Sequence, residues 1–424
     1  MGQKDITLKY GSSSVSFSFP EEGLLGVLNA KEMKKVSYPR ASVLDALLTP
    51  VNSEPFTDIA KRKKGKVAIA VPDRTRTAKV EIILPVVVGE LNNAGIPDED
   101  ITVIFACGTH RLHTEDEKKK IVGPFIVQKN IRMIDHDCRD EDGLVDLGVT
   151  SRGNKVRVNK TMAEANLKVL IGGITYHYFA GFGGGRKTVL PGISAFETIQ
   201  YNHKLLMGQA RGENPACKTG NLDDNPVHQD MLEAAKMLKP DFIVNSVLNG
   251  EHELAGVFAG DLEKAHLAGC KLIDEYARVN IGKKADMVIA SAGGGTKDMN
   301  FVQSHKAMEN ASYALKDGGT MIIAAESSEA FPSEEYMKWF ELKSSSKIEE
   351  GLRKNFTIPG HTVYSAMHKA EKFRIIWVTK MDKDIVRKMK MAPVDTIEEA
   401  LKLAGNFGST YIMPEAYMTL PSAA

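Results

Sequence analysis

The sequence predicts an α/β protein of two domains, each built on a mainly parallel sheet with helices on both faces. Three observations carry this reading. Short apolar runs alternate with helical patterns along most of the 424 residues, as strand–helix–strand crossovers require. A chain of this length has room for two or three domains with substantial cores. A second alternating series begins near residue 283, which puts a boundary near 280. Residues 1–280 then form a first domain and 281–405 a second, with the tail 406–424 able to return to the first.

The elements follow in order. Residues 1–20 alternate polar and apolar side chains, like a strand pair, and hold no apolar signal core. Residues 67–71 (VAIAV) are a buried strand. Residues 79–93 read as a helix, with a kink expected at Pro85 and a stop at Gly95. The strand 101–107 and a charged helix from about Glu115 to Val122 come next. Residues 131–134 and 167–171 add two strands. Residues 241–248 and 253–258 form a hairpin turning at Asn249 and Gly250, followed by a helix from about Leu262 to Tyr276. The second series gives a strand at 286–291, a helix at 301–315 and a strand at 320–325. More helices, a strand at 374–379, a helix at 396–405 and an apolar stretch at 410–413 complete it.

Composition narrows the partners. The formal net charge is +1, with 43% hydrophobic and 26% charged residues, so nothing calls for nucleic acid or an acidic membrane surface. The basic run Lys61, Arg62, Lys63, Lys64 and Lys66 reads as a solvated connection. Asp5 and Ile6 stand where a lipidation motif after Gly2 needs Ser or Thr. No apolar stretch approaches the ~18 residues of a membrane helix, and a cytoplasmic protein is expected. Cys107, Cys138, Cys217 and Cys270 form no C-x-x-C pair, which argues against a disulfide scaffold or a structural zinc site.

Ligands of parallel α/β sheets bind at the carboxyl ends of strands. There the sequence places Asp73 to Arg76, Gly108 to His110, and the segment from Gly172. Residues 172–203, GGITYHYFAGFGGGRKTVLPGISAFETIQYNH, are the most informative. Gly181, Gly183, Gly184 and Gly185 let backbone amides approach an anion, Arg186 and Lys187 add charge, and a helix capped by Ser194 is expected to follow. A phosphate or nucleotide site is the physical reading; a glycine-rich surface loop is the plain alternative. The segment is no Walker A loop, because Arg186 separates Gly185 from Lys187.

His177 and His203 flank this loop, and His110 follows a buried strand. An imidazole exchanges protons near neutral pH without much tuning. Two of them on opposite faces of one carbon could serve both hands of a substrate. His113, His136, His228, His252, His266 and His368 lack a comparable setting and read as background. In PDRTRTAK, Asp73, Arg74, Thr75 and Arg76 end a strand, and arginine forks suit carboxylate or phosphate; a loop capped by Asp73 ahead of a helix is the structural alternative.

These segments resemble the nickel-dependent lactate racemase family along nearly the whole chain. The loop FAGFGGGRKTVLPGI with a downstream Asn-His pair is its hallmark. The resemblance implies Rossmann-like domains with the active site at their interface. It also implies a nickel(II) pyridinium-3,5-bisthiocarboxylic acid mononucleotide, a nickel-pincer nucleotide, bound covalently to Lys187 and made by separate biosynthetic proteins. His203 would complete the nickel coordination, whose soft donors suit this metal. His110 and His177 would be the acid–base pair. Asp73, Arg74, Thr75, Arg76, Gly184, Gly185 and Arg186 would line the cofactor.

The family segment D-x-N-x-x-Q-x-x-K appears as Asp298, Asn300, Gln303 and Lys306. Gln303 and Lys306 would share a helix face and bind substrate together with Arg76. The implied reaction removes the C2 hydride of a 2-hydroxy acid to the cofactor, gives a planar 2-keto acid, and returns hydride to the other face. The protein supplies orientation, charge and proton transfer.

The pocket departs from lactate-specific members. Val302 stands where they carry an aromatic residue, and TIPGHT, with His361, has no tryptophan. A larger or more polar 2-hydroxy acid is expected, with His361 and His305 as specificity residues. Two other classes are kept: an ATP- or nucleotide-dependent enzyme using the glycine-rich loop, and a noncatalytic cofactor carrier, against which the presence of both His110 and His177 argues.

Overall fold

Five parallel strands and one antiparallel edge strand make the sheet of the larger unit in the computed structural model, which describes residues 2–331, 333–405 and 408–423. From edge to edge the sheet runs Leu254–Gly260, Phe242–Leu248, Leu167–Ile174, Val67–Pro72, Ile101–Ala106 and Arg132–Asp135. Only Phe242–Leu248 and Leu254–Gly260 pair antiparallel, as the hairpin at Asn249 and Gly250 requires. Val67–Pro72 is buried throughout, because a central parallel strand has helices on both faces. The helix Val80–Asn93 buries Val80, Ile83, Leu84, Val87, Val88 and Leu91 against that sheet and carries Pro85 inside it. The charged helix Glu115–Val122 starts on a reciprocal capping box between Thr114 and Glu117, which satisfies two orphan backbone donors.

The order of these strands fixes where a ligand belongs. From Val67–Pro72 the chain travels outward through Ile101–Ala106 to Arg132–Asp135. It then crosses back to Leu167–Ile174 on the other side of its starting strand. The crevice between the carboxyl ends of Val67–Pro72 and Leu167–Ile174 is therefore a topological switch point, where open α/β sheets hold their ligands.

The smaller unit has its own sheet: Ala392–Val394, Arg374–Val378, Leu315–Ala324, Ala285–Ser291, Thr410–Met413 and Leu24–Val27. All its pairs are parallel. Its direction reverses between Ala285–Ser291 and Thr410–Met413, which makes a second switch point. The antiparallel hairpin of Gln3–Tyr10 and Ser13–Pro20 packs Ile6, Leu8, Tyr10, Phe17 and Phe19 over Ile289, Ile322 and Ile376.

This arrangement corrects the expected boundaries. The chain divides into Met1–Lys31, Gln209–Gly212 and Tyr276–Ala424 as one unit, and Glu32–Gly208 with Glu213–Glu275 as the other. The first 31 residues group with the smaller unit rather than the larger, and so does the tail. Leu24–Val27 instead pairs with Thr410–Met413 and so covers what would be an open strand edge. Leu420–Ala423 pairs with Arg278–Ile281. Among the described residues, no helix is long and apolar enough to cross a membrane.

Candidate active site at the switch point of the larger sheet

The turn after Val67–Pro72 is built around Asp73, which is buried. Its Oδ1 accepts hydrogen bonds from the Thr75 amide at 3.1 Å and the Thr75 hydroxyl at 2.8 Å. Its Oδ2 lies 2.5 Å from Nδ1 of His110. Burial alone would raise the Asp73 pKa. The hydrogen bond and charge of His110, then Arg76 and Thr75, outweigh it and hold the carboxyl below its ordinary value of 3.8. A carboxylate on Nδ1 fixes the tautomer and leaves Nε2 of His110 as the proton-exchanging nitrogen. Arg74 turns its Nε to Glu117 at 3.6 Å, while Arg76 bonds the carbonyl and hydroxyl of Thr75 at 3.3 and 3.1 Å.

From Leu167–Ile174 the chain makes a two-residue ladder, with Tyr176 opposite Phe182 and His177 opposite Gly181. A 3-10 turn over Gly185–Thr188 and the helix Phe196–Lys204 follow. The glycine-rich loop spends much of its polarity on itself. The Gly183 amide donates to the Thr175 carbonyl at 2.7 Å and the Gly185 amide to Asn245 Oδ1 at 2.9 Å. Gly185 has φ +52°, and a Cβ there would stand 2.9 Å from the His266 ring, so only glycine fits.

Arg186 also differs from the expected anion ligand. It is 1% exposed and donates to the carbonyls of Ala180 at 2.8 Å, Gly184 at 3.3 Å and Gly183 at 3.4 Å. His266 Nε2 lies 3.0 Å from its Nη1. Burial lowers the Arg186 pKa to about 10. Burial, with Arg186 as the next cause, pushes His266 well down and His228 to about 3. This arginine organises the loop from beneath. Ser194 does not cap the following helix either: its hydroxyl donates to Val189 at 2.8 Å, and the helix begins at Phe196.

Three sequence-predicted residues converge on a side chain that sequence reasoning passed over. The buried ring of Phe179 meets His177 edge-on at 4.5 Å and His203 edge-on at 5.3 Å, between ring centroids. Lys187 Nζ lies 5.6 Å above the same ring. His203, on the last turn of its helix, donates from Nδ1 to the Ile199 carbonyl at 2.9 Å. That bond puts the ring's lone pair on Nε2, the arrangement metal-binding imidazoles use. A lysine amine and an imidazole so oriented beside one aromatic ring fit a metal-bearing group held on Lys187.

Backbone bonds tie this half to the His110 turn. The Gly192 amide donates to the Lys187 carbonyl at 3.1 Å, and the Gly192 carbonyl accepts from the Gly108 amide at 2.9 Å. Gly192 has no room for a side chain, since a Cβ would meet the Thr188 carbonyl at 2.3 Å and Ala106 Cβ at 2.9 Å.

The smaller unit gathers its own candidates at its switch point. Asn300 caps the helix Phe301–Tyr313 by accepting the Gln303 amide. Lys306 Nζ bonds Gln303 Oε1 at 2.8 Å and the Tyr417 hydroxyl at 3.3 Å, so the expected shared face holds. Buried Lys297 reaches the same ring, with Nζ 5.9 Å from the Tyr417 centroid, and burial lowers its pKa. Asp298, fully buried, accepts the Gly11 amide at 2.8 Å. His361 is buried and stacks on Phe356 at 6.2 Å. His305 donates from Nδ1 to Val302 at 2.7 Å, and burial pushes its pKa to about 3. Lys297 and Tyr417 were missed because neither lies in a motif that names its chemistry; only the strand order brings them together.

One group of side chains among the described residues has the spacing of a metal site: Cys107, His113 and Asp135, with ligand atoms within 4.8 Å of one another. It does not include His203. Lys118 Nζ stands 3.2 Å from Asp135 Oδ2, a cation where a metal would need charge to itself.

Known proteins match this chain over nearly its whole length. Residues 10–214 match the lactate racemase N-terminal domain family and residues 281–412 the lactate racemase C-terminal domain family. The chain is 35% identical to a lactate racemase of Thermoanaerobacterium thermosaccharolyticum over 410 residues, and 32% identical to one of Lactiplantibacillus plantarum over 413, with 94% of each chain covered in both comparisons. The structure of the lactate racemase apoprotein from T. thermosaccharolyticum superposes with a TM-score of 0.91 at 33% identity, over 99% of this chain and 100% of the other. A Thermotoga maritima protein shares the fold, with a TM-score of 0.67 at 18% identity over 93% of this chain and 100% of its own.

Proposed function

The chain belongs to the lactate racemase family, and on that premise we propose that it inverts C2 of a 2-hydroxy acid using a nickel-pincer nucleotide carried on Lys187. The observation that carries this reading is the meeting of His177, Lys187 and His203 on the single ring of Phe179. When bound, the nucleotide would supply reversible hydride acceptance at C2, chemistry that no side chain provides.

The chain's own residues supply the remainder. His203, with its lone pair on Nε2, is the metal ligand. His110, oriented by Asp73, and His177 take the hydroxyl proton on one face and return it on the other. Arg76, Gln303, Lys306 and His361 bind the substrate, the cations acting on its carboxylate. Asp73, Arg74, Thr75, Gly184 and Gly185 line the cofactor, and Arg186 shapes the loop that presents Lys187. The cofactor is supplied by other proteins, and the enzyme works in the cytoplasm on a small molecule, with no nucleic-acid or membrane partner.

The substrate is a larger or more polar acid than lactate, such as a dicarboxylate or sugar acid. Val302 and His361 support this, as does Lys297, a buried cation beside the ring that half-buried Lys306 also touches. A nucleotide-dependent enzyme finds less support, because the Gly183 and Gly185 amides are already taken by the Thr175 carbonyl and by Asn245.

Intact mass and nickel content, measured on protein from a host that makes the cofactor, test the reading together with racemisation of single enantiomers of lactate, malate and sugar acids. A Lys187 adduct, nickel near one per chain and turnover of a polar 2-hydroxy acid are expected. Nickel-free protein with bound adenine nucleotide would overturn the reading, and lactate as the best substrate would overturn its substrate part.

A further inference from the structure

His113 lies three residues beyond His110 and looks at first like a core histidine. Its side chain is fully buried and packs on Phe105 with ring centroids 5.1 Å apart. Its two nitrogens have different partners. Nε2 faces the backbone amide of Arg74 at 3.1 Å, so it accepts that hydrogen bond. The ring proton then sits on Nδ1, which points at Asp135 Oδ1 at 2.6 Å. Asp135 ends the strand Arg132–Asp135, and its Oδ2 accepts from the His113 amide at 3.3 Å and faces Lys118 at 3.2 Å.

Arg74 sits between Asp73 and Thr75. The turn is thus held from two sides by one short segment: His110 grips the Asp73 carboxylate, and His113 grips the next amide. Lys118, Asp135 and His113 form a line of charge-assisted hydrogen bonds that ends on the turn and anchors it to the neighbouring strand ends.

The same side chains, with Cys107, have the spacing of a metal site, but the bonding speaks against one. A metal in the cluster would need the lone pair of Nδ1, and Nδ1 carries the proton. Moving that proton to Nε2 would set two N–H groups against each other at Arg74. The Cys107 thiol, 3.6 Å from both His113 Nδ1 and Asp135 Oδ1, is pushed well up by burial first and by Asp135 and Asp73 next. It is not a ready thiolate.

We propose that His113 is a positioning residue for the reaction: fixed as the Nδ1–H tautomer by Asp135, it locks the Asp73–Arg76 turn and through it sets the orientation of the His110 imidazole. The catalytic side of this inference rests on His110 acting as acid–base; the positioning side does not. It implies that His113 works by accepting a hydrogen bond, and that a group of equal bulk without an acceptor fails.

Imidazole nitrogen NMR on the full-length protein, without cofactor, tests it independently of turnover. His113 is expected as the Nδ1–H tautomer. In His113→Leu, the imidazole nitrogen signal of His110, whose ring faces Asp73 and Arg76, is expected to shift. His113→Gln, whose amide oxygen replaces the acceptor, is expected to move it back. In loaded enzyme the same pair is expected to show about a tenfold loss of kcat and its partial rescue, with KM little changed. If His113→Leu does not fold, Asp135→Leu removes the partner that fixes the tautomer and is expected to shift both imidazole signatures. An Nε2–H tautomer in the unsubstituted protein, an unmoved His110 in the variants, or stoichiometric zinc or nickel held by Cys107 and His113 would each overturn the proposal. A shifted His110 in an enzyme without racemase activity would instead discredit the functional reading and leave the positioning intact.

Discussion

His110 and Asp73 form a hydrogen-bonded pair in which the carboxylate is buried and the imidazole side chain is 43% exposed. The buried partner has its pKa held below the ordinary 3.8. A depressed carboxylate stabilises the fold above its unfolded pKa, and that contribution is lost as pH falls through the folded value. Asp73→Asn is therefore expected to lower thermal stability most near neutrality, by about 1.5–3 kcal/mol for a charge-assisted bond. The gap to the unsubstituted protein should close below about pH 4. Melting curves from pH 2.5 to 7 would check this; a gap independent of pH would mean the carboxylate charge contributes nothing.

Separate roles for the two imidazoles and the lysine give separable losses. His110→Ala and His177→Ala are expected to lower racemisation by about 10²–10⁴-fold, the usual worth of a positioned acid or base, while nickel and adduct mass stay. Lys187→Ala is expected to lose the adduct. Activity near the original level in either histidine variant, or a retained adduct in the lysine variant, would contradict the assignments.

Arg186 has no carboxylate beside it, and its Nε has no hydrogen-bond partner among the described residues. Its worth lies in the carbonyls of Ala180, Gly183 and Gly184. In Arg186→Ala each carbonyl keeps one other donor: the Phe182 amide for Ala180 at 2.9 Å, His266 Nε2 for Gly183 at 2.8 Å and the Lys187 amide for Gly184 at 3.1 Å. The variant loses charge-assisted hydrogen bonds and leaves a cavity where a buried side chain stood, so a loss of about 2–5 kcal/mol in urea unfolding is expected. Arg186→Lys should recover little, because an ammonium cannot reproduce the guanidinium fork. Full stability in the lysine variant would show that charge alone is needed.

Gly192 is expected to be as sensitive, though no charge is involved. Gly192→Ala would put Cβ 2.3 Å from the Thr188 carbonyl, so the backbone must shift, and that backbone joins Lys187 to Gly108. Overpacking of this kind costs about 1–3 kcal/mol. The measurement is differential scanning calorimetry alongside kcat, and unchanged values in both would show that the connection between the two turns is slack.

Much of this could be read from the chain. The central strand 67–71, the hairpin at Asn249 and the helix from about Glu115 announce themselves by an unbroken apolar run, turn residues and a run of charge. The segment 172–203 marks itself by its glycines and charges. What could not be read is the direction in which polar groups are spent. Arg186 looks like an anion ligand, and burial turns it onto the loop's own carbonyls. Residues 1–31 read as part of the nearest domain, yet Leu24–Val27 pairs with a strand almost 400 residues away, a distance that no local pattern spans. His113 and Tyr417 carry no motif, and their meaning comes from what the strand order sets beside them.

Phe179 gives the sharpest remaining test, because it touches three assigned residues and carries no chemistry itself. Phe179→Ala would remove a buried ring at about 3–5 kcal/mol and would confuse unfolding with loss of the site. Phe179→Leu keeps apolar bulk and removes only the aromatic ring that His177, His203 and Lys187 approach. That variant is expected to stay folded, to retain nickel less well through dialysis, and to lose kcat at least about tenfold. Phe179→Tyr keeps the face and should retain most of the metal. Equal nickel retention in the leucine and tyrosine variants would mean that the ring fills space and organises nothing.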